Sequence, residues 1–556
     1  MENGGSMMGS VTTSKWRTKT EQMELLSRLV RFPSVTGSRA EIAIADYIEE
    51  ELRAFSYFQE NADHLQLHPT EDGRKIVTAL VKKREDVRNT VILVSHFDVV
   101  DIQDYGRWKP IAFDAGKLTA AFYSDKQNIP LEVQKDIEQG NWLFGRGTMD
   151  MKCGLVSHMA MIEQAIGGAF DGNVLLLAVC DEEVNSVGMR TAVPVLLEMA
   201  EKYRLEYKAC LNSEPMFARY PGDENNYIYT GSIGKVLPGF LCYGKETHVG
   251  EPLSGLNASY MVSQITNQFE LNTEFCEVVE GEVMPPPTNL LQRDLKEEYS
   301  VQIPHRAVTL FNLFLFEKTM DEIVDQLRGL MKTAAVSIEQ NYAKQADKFA
   351  QLQRSTPGTI NINVLTFEEL MAYAVKTYGK EEVDHIQTAA MESRAEGDDR
   401  EVTIRLVDQM AALCKELSPM IVLFFAPPYY PAVSSRKDPY IQSVVDDMIT
   451  YAKTKHEVVL QKQNYFGGIS DLSYTGLSQP ISSLNPLVSN MPLWEKGYTL
   501  PLEGLEALNL PVLNLGPVGR DAHKWTERLD IDYAFETLAD MLPVAINKLL
   551  TENRLT

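Results

Sequence analysis

The sequence predicts an α/β fold, with a central sheet covered by helices and a second α/β domain inserted into the first. Short, continuously apolar segments such as 90–94 and 173–180 alternate with segments of helical periodicity such as 149–166. Strands of a sheet that is buried on both faces have this continuous apolar character. The alternation stops after residue 214 and returns from residue 439, which indicates that a separate domain lies between.

Domain boundaries follow from this change of pattern. We expect one domain to comprise residues 1–231 and 426–556, and an inserted domain to comprise residues 232–425. A chain of 556 residues suits two or more domains of usual size. Within the first domain, the periodicity over 38–55 predicts a helix with Ser38 near its start.

Other elements are predicted from local signals. Thr319 and Thr366 each begin a Thr-x-x-Glu capping box, which is typical of a helix start. The segment 231–243 is typical of paired strands, and 533–550 of a terminal helix.

Composition excludes several classes of function. The formal net charge of −24 disfavours binding to nucleic acid and to anionic lipid, because both need clustered basic residues. No apolar run approaches the roughly 18–20 residues that cross a bilayer. The N-terminal stretch 1–22 lacks the apolar core of a secretory signal, and the six cysteines include no Cys-x-x-Cys pair. We therefore expect a cytoplasmic protein with reduced thiols.

Two motifs place polar residues where a metal could bind. His96 and Asp98 directly follow an apolar strand and point to the same side of an extended chain, so His96 could bind a metal while Asp98 orients it. Asp150 follows a glycine-containing loop at the start of a helix, where a carboxylate can bridge two cations. A surface turn and a plain helix cap are the respective alternatives.

Acidic residues also follow two further strands. Asp181, Glu182 and Glu183 come at the end of a very apolar strand, and Glu214 follows the next one. Because adjacent acids can face different ways, one of them could bind metal while the other serves as a base. A solvated acidic turn is the alternative for the acidic triplet.

The last motif presents His523 after a strand and a Gly-Pro turn at 516–517. Glu527, four residues later, could support this loop or the imidazole. Ligand sites of open α/β sheets form at strand ends, so these separate motifs are expected to meet at one edge of one sheet. Carboxylates with imidazole suit zinc, or manganese or cobalt in the same geometry.

These five stretches, in this order, resemble the M20 metallopeptidase family, also called M20/M25/M40, which includes aminoacylases, succinyl-diaminopimelate desuccinylase and glutamate carboxypeptidases. The resemblance covers nearly the whole chain. It implies a zinc-peptidase-like catalytic domain with a mixed central sheet flanked by helices, two divalent ions and an inserted lid domain. It also implies hydrolysis of an amide bond in a small N-acyl amino acid or short peptide.

The resemblance also implies a set of metal ligands. Asp150 would bridge both ions and would precede a cis peptide bond that does not involve proline. His96 and Glu214 would complete one site, and Glu183 and His523 would complete the other.

Three further residues receive roles from the resemblance. Glu182 would be the general base, and Asp98 would orient the first histidine ligand. His248, in the motif Gly-Lys-Glu-Thr-His-Val-Gly at 244–250, would polarise the scissile carbonyl. In the family this histidine often comes from a partner subunit, which implies a homodimer through the lid; a monomer whose enlarged lid closes on its own site is the alternative.

The chain departs from the family pattern in the inserted domain. Where a lid strand often has Asp-x-Arg, this chain has Phe-Asn-Leu-Phe at 311–314, which removes one candidate for binding a substrate carboxylate. The inserted region, 232–425, has about 190 residues and exceeds a typical lid, with extra material over 330–420. This length and the stretch Ala-Pro-Pro-Tyr-Tyr-Pro at 426–431 resemble the arginine-utilisation branch of the family.

Two other functions fit the sequence less well. A hydrolase with a serine nucleophile is disfavoured because no Gly-x-Ser-x-Gly motif occurs. A metal-binding or regulatory member that has lost catalysis would lack the base or a ligand, and none is missing here.

Overall fold

The computed structural model describes residues 15–220, 222–354, 356–392 and 397–551. Residues 1–14, part of the stretch expected to lack a secretory signal, lie outside these ranges. The chain divides into two compact units. Unit 1 comprises the chain up to Ser232, Val433–Gly476 and the chain from Ala507, and unit 2 comprises Ile233–Ala432 and Leu477–Glu506. Residues 477–506 therefore lie in unit 2, whereas the boundaries drawn from the sequence placed them with the first domain.

The strands and helices have the following bounds. The strands are β1 (Leu65–Pro69), β2 (Lys75–Val81), β3 (Asn89–His96), β4 (Trp142–Phe144), β5 (Asn173–Val179), β6 (Glu206–Asn212), β7 (Asn226–Tyr229), β8 (Gly231–Ser232), β9 (Gly234–Tyr243), β10 (Val278–Val279), β11 (Glu282–Val283), β12 (Thr288–Asp294), β13 (Arg306–Leu315), β14 (Asn363–Thr366), β15 (Met420–Tyr430), β16 (Val433–Ser434), β17 (Leu460–Gln463), β18 (Val512–Asn514), β19 (Gly519–Arg520) and β20 (Arg528–Asp530). The α-helices are α1 (Lys19–Val30), α2 (Ala40–Arg53), α3 (Ser56–Glu60), α4 (Ala115–Ser124), α5 (Leu131–Gln139), α6 (Lys152–Ile166), α7 (Val187–Tyr203), α8 (Ala258–Phe269), α9 (Met320–Gln353), α10 (Phe367–Tyr378), α11 (Lys380–Glu392), α12 (Asp399–Leu413), α13 (Pro439–His456), α14 (Asn485–Ser489), α15 (Leu502–Leu508) and α16 (Ala539–Thr551).

Unit 1 is built on a mixed eight-stranded sheet in the order β1-β2-β5-β3-β6-β18-β7-β17. The neighbours β5, β3, β6 and β18 run parallel to one another, whereas β1, β2 and β5 pair antiparallel. Helices α2 and α7 pack on β2, and α6 and α16 pack on β3. The strands β3 and β5 are almost wholly buried, as their continuous apolar sequences predict.

A smaller antiparallel sheet, in the order β19-β20-β4, also belongs to unit 1. Its strand β4 packs with helices α4 and α5 in an aromatic-rich cluster that includes Tyr105, Phe122, Trp142 and Phe144. Strand β4, which precedes the glycine-containing loop, pairs with β20, which follows His523.

Unit 2 is built on a five-stranded sheet in the order β12-β13-β9-β15-β14. Helices α8 and α9 pack on it, as do α10 and α12. Helices α10, α11 and α12 pack against one another, so the extra material expected over 330–420 forms part of the fold of this unit. Thr319 and Thr366 form complete capping boxes at the starts of α9 and α10, as predicted.

Two local predictions were wrong. Ser38 does not cap α2, which begins after Arg39; its hydroxyl donates instead to the carbonyl of Pro33 at 3.5 Å. The segment 231–243 contains one long strand, β9, whose partners β13 and β15 come from distant parts of the chain. The terminal helix expected over 533–550 is present, and it begins with a π-helical turn over Tyr533–Leu538 that continues into α16.

Within the described ranges, no helix combines the length and the apolarity needed to span a membrane.

Candidate metal centre

Four neighbouring strands of the unit 1 sheet bring the predicted residues to one edge. His96 ends β3, the acidic triplet follows β5, and Glu214 follows β6. Strand β18 ends at Asn514 and leads into the loop that carries His523. Because these strands are parallel and in register, their carboxyl ends lie side by side.

The first group consists of His96, Asp150 and Glu214. The Nε2 atom of His96 lies 3.3 Å from Oδ1 of Asp150 and 3.3 Å from Oε1 of Glu214. All three residues are buried. The peptide bond between Asp150 and Met151 is cis, as the resemblance implied.

The second group consists of Asp150, Glu183 and His523. The Nε2 atom of His523 lies 3.2 Å from Oδ2 of Asp150 and 3.1 Å from Oε1 of Glu183. Asp150 therefore faces the first group with one carboxylate oxygen and the second group with the other. His523 is about half exposed, with a φ angle of +62° that turns its loop into this position.

Glu182 adjoins both groups, because it forms a third group with His96 and Glu183, whose potential ligand atoms lie within 4.8 Å of one another. One of its carboxylate oxygens is 3.9 Å from Nε2 of His96, and the residue is buried. The preceding residue, Asp181, has a left-handed backbone with φ +68°, and its carboxylate accepts the N–H of Val187 and pairs with Arg74. This turn directs the two glutamates that follow it.

Asp98 holds the backbone of the acidic triplet. Its carboxylate accepts the backbone N–H groups of Glu182 at 3.1 Å and Glu183 at 3.3 Å, and the hydroxyl of Thr36 at 2.8 Å. The Nδ1 atom of His96 lies 3.1 Å from the main-chain oxygen of Asp98 and 3.5 Å from its Oδ1. The carboxylate thus makes shorter contacts to the loop of the glutamates than to the imidazole that it was expected to orient.

The carboxylates make this cluster strongly attractive to positive charge. Burial disfavours the charged form of His96, but Glu214 and Asp150 outweigh it and raise the pKa of His96 well above its ordinary value. Burial also opposes protonation of His523, and Glu183 with Asp150 nevertheless raises its pKa to about 11. Burial raises the pKa of Glu214 to about 7. A cluster that attracts protons so strongly also suits divalent cations.

Two atoms of the first group lack a hydrogen-bond partner among the described residues. His96 Nε2 and Glu214 Oε1 are buried without a hydrogen-bond partner in the part of the chain that the structure describes. Buried polar atoms nearly always have a partner. Because imidazole nitrogen and carboxylate oxygen are both ordinary zinc ligands, the residues present fit a metal ion at this position.

The loop before Asp150 is held by Glu527, which the sequence suggested as a support. Its carboxylate accepts the backbone N–H of Gly147 at 2.7 Å and of Met149 at 3.4 Å. It also pairs with the guanidinium of Arg146 at 2.6 Å, and both partners are buried. This network fixes the backbone that leads into Asp150.

His158 is a connecting residue that the sequence analysis missed. It lies fully buried in α6, with Nδ1 2.7 Å from the hydroxyl of Ser95 and Nε2 2.9 Å from the hydroxyl of Ser213. Ser213 donates its own hydroxyl hydrogen to the carbonyl of Leu515, so Nε2 is the protonated nitrogen. The side chain links the residues that immediately precede His96 and Glu214. Only its position in an otherwise apolar helix could have drawn attention to it.

The remaining predicted site residue, His248, belongs to unit 2. It is exposed, and its Nδ1 accepts the backbone N–H of Gly250 at 3.0 Å. Its role stays a prediction.

A cavity of about 1050 Å³ opens within unit 1. Its walls come from α5, from residues 216–220 and 222–226, which follow Glu214, and from the loop 518–528 that carries His523. None of the proposed metal ligands is among the described residues that line it. Both basic and acidic side chains line it, among them Lys135 and Asp136.

The sequence matches the model of peptidase family M20/M25/M40 over residues 92–461. This match covers more than half of the chain. The chain belongs to peptidase family M20/M25/M40. It is accordingly a hydrolase of the metallopeptidase and amidohydrolase type.

Two Bacillus subtilis proteins are similar over nearly their whole lengths. Protein YqjN is 49% identical over 97% of this chain and 98% of its own. Protein RocB is 32% identical over 96% of each chain. Among solved structures, the M20 family metallo-carboxypeptidase Sso-CP2 from Sulfolobus solfataricus has a TM-score of 0.52 at 13% identity, covering 95% of this chain and 99% of its own. At that identity the likeness concerns the fold alone.

Proposed function

We propose that this protein is a dinuclear metal-dependent amidohydrolase that cleaves an amide bond in a small N-acyl amino acid or short peptide. One observation carries the proposal: the two oxygens of Asp150 lie 3.3 Å from His96 Nε2 and 3.2 Å from His523 Nε2. A carboxylate flanked in this way is suited to join two cation sites.

Each of the two groups that contain Asp150 would hold one metal ion. His96 and Glu214 would hold one ion, Glu183 and His523 the other, and Asp150 both. Zinc suits this set of imidazole and carboxylate ligands best, with manganese and cobalt as alternatives. When bound, two such ions supply Lewis acidity that polarises a carbonyl and makes water more acidic.

Glu182 would serve as the general base. It lies 3.9 Å from Nε2 of His96, outside the two three-residue groups that contain Asp150, and forms a third group with His96 and Glu183. Burial, together with Glu183 and Glu214, raises the pKa of Glu182 well above the ordinary value of a glutamate, so its carboxylate has a high affinity for a proton. The positive charge of the bound ions would favour the ionised carboxylate, which is the form that accepts a proton. Glu182 would take the proton of the attacking water and deliver it to the leaving nitrogen.

His248 would polarise the scissile carbonyl as part of a lid formed by unit 2. Support comes from its place in the motif at 244–250 and from its exposed side chain. The lid would also provide the surface for a homodimer, in which the histidine of one subunit serves the site of the other.

The similarity to Protein RocB and the proline-rich stretch at 426–431 support a place in arginine utilisation. The six cysteines are free thiols, in accord with the cytoplasmic location expected from the sequence.

A substrate panel tests the proposal. The zinc-loaded protein is assayed on N-acyl amino acids and dipeptides, arginine derivatives included, with the chelator-treated protein as control. We expect metal-dependent release of the free amino acid from at least one member. Metal binding without hydrolysis of any member would favour a regulatory protein that has lost catalysis.

A further inference from the structure

Asp471 is an acidic residue that neither the sequence analysis nor the proposed mechanism uses. It begins a short 3₁₀-helix, Asp471–Thr475, in unit 1. This helix packs against β3 and β6. These are the strands whose carboxyl ends carry His96 and Glu214.

The carboxyl group of Asp471 is buried and unsatisfied. The residue has an exposed fraction of 0%, and neither carboxylate oxygen has a hydrogen-bond partner within residues 15–220, 222–354, 356–392 and 397–551. The hydroxyl of the neighbouring Ser470 is also buried and without a partner there. Leaving a buried acid unsatisfied destabilises a protein, so such a residue calls for a functional explanation.

The charges around Asp471 are those of the candidate metal centre. Its carboxyl group interacts electrostatically with His96 favourably, and with Glu214, Asp98 and Glu183 unfavourably. Burial and these three acids oppose ionisation of Asp471. Added positive charge at the neighbouring ligands would reverse that balance, because buried opposite charges attract strongly.

We propose that Asp471 is a positioning residue of the metal centre, whose negative charge strengthens binding of the cation held by His96 and Glu214. It acts from outside the set of five ligands, and its burial lowers the stability of the metal-free protein. This inference rests on the proposed function.

The test uses Asp471→Asn, which keeps the shape of the side chain and removes its charge. Zinc affinity is measured by competition with a chromophoric chelator, and thermal unfolding is measured on the metal-free protein. We expect the affinity for at least one zinc ion to fall tenfold or more. We also expect the melting temperature of the metal-free protein to stay nearly unchanged, because the amide has the shape and the neutral charge of the un-ionised acid that it replaces.

Glu163→Gln provides a matched control. Glu163 is also buried, but its carboxylate accepts the backbone N–H groups of Lys15 and Trp16 at 2.9 and 2.7 Å. It lies 11 residues after Lys152, the first residue of α6, which is about 17 Å along the helix axis. This variant should lower the melting temperature of the metal-free protein and leave zinc affinity unchanged.

Several results would overturn the inference. A lower melting temperature with unchanged zinc affinity would show that Asp471 is structural. Failure of both Asp471→Asn and Asp471→Ser to fold would show the same. Glu183→Gln separates the inference from the proposed function: if that variant loses zinc while Asp471→Asn retains wild-type affinity, only the inference is wrong. If the unsubstituted protein binds no zinc, the proposed function is wrong as well.

Discussion

The Oδ1 atom of Asp98 accepts the backbone N–H of Glu182 at 3.1 Å. Asp98, two residues after the proposed ligand His96, therefore fixes the backbone of the proposed base Glu182. The other carboxylate oxygen of Asp98 accepts the N–H of Glu183 at 3.3 Å. One buried carboxylate thus connects the end of β3 to the end of β5, and its loss should disturb both the metal ligands and the base.

We predict that Asp98→Asn lowers kcat or zinc affinity by about 10–100-fold, the usual effect of losing a partner that orients metal ligands. An amide at this position presents an N–H group where the loop requires acceptors. Thr36→Val, which removes only the hydroxyl donor at 2.8 Å, is the matched control and should have a much smaller effect. Steady-state kinetics and zinc titration measure both. Wild-type behaviour of Asp98→Asn would show that the loop is held by other contacts.

Glu182 and Glu183 are neighbours for which opposite effects are expected. Glu182→Gln should bind zinc normally and lose about 10²–10⁴-fold in kcat, because an amide cannot accept the proton. Glu183→Gln should instead lose zinc, since Glu183 lies 3.1 Å from His523 in the second group. Metal analysis together with kinetics distinguishes them. If Glu182→Gln empties the site and Glu183→Gln does not, the two roles are exchanged.

His158 predicts how stability depends on pH. Burial lowers its pKa from 6.5 to about 3. Between these values the unfolded chain binds a proton that the folded protein does not, so stability falls as the pH decreases below 6.5. The contribution is about 1.4 kcal/mol per pH unit. In His158→Gln this contribution disappears, and the dependence becomes shallower.

Urea titrations of the metal-free protein between pH 7 and about 4.5 measure this slope. The control is His385→Gln, at an exposed histidine of α11. It should follow the unsubstituted protein across the range. Equal slopes for His158→Gln and the unsubstituted protein would indicate that His158 does not remain neutral in the fold.

His248 can be tested by mixing two inactive proteins. Chains carrying His248→Ala and chains carrying Glu182→Gln are combined after partial dissociation, and dimers are verified by light scattering. If the lid of one subunit serves the other, one site in each mixed dimer has both residues intact, and activity returns. A verified mixed dimer without activity would mean that His248 serves its own chain or has no catalytic role.

The site could be predicted to the extent that its residues follow strong strand signals. His96 and Glu183 come at or soon after continuously apolar strands, Glu214 follows a strand with a short apolar centre at 209–211, and parallel strands bring such ends together. Asp471 gives no such signal, because it follows the short strand β17 and an irregular segment. His158 is equally hidden, since nothing in the sequence of α6 indicates that two distant serines contact it.

The errors in the fold have local physical causes. Serine is a residue type that often caps a helix, which is why Ser38 was predicted to do so. In the structure α2 begins after Arg39. The side chain of Glu41 accepts the N–H of Gly37 and pairs with Arg74. The segment 231–243 was predicted to form two paired strands because the sequence of a long apolar strand does not indicate which strands it pairs with. Those partners, β13 and β15, are far along the chain, where only tertiary packing decides the pairing.

Zinc content of Asp150→Asn tests the central claim most directly, because Asp150 is the residue that faces both groups. The unsubstituted protein, dialysed against zinc, should retain about two ions per chain, as a dinuclear centre requires. His523→Ala should lose mainly one of them. We predict that Asp150→Asn loses both while it remains folded. Retention of two ions by folded Asp150→Asn would contradict the account.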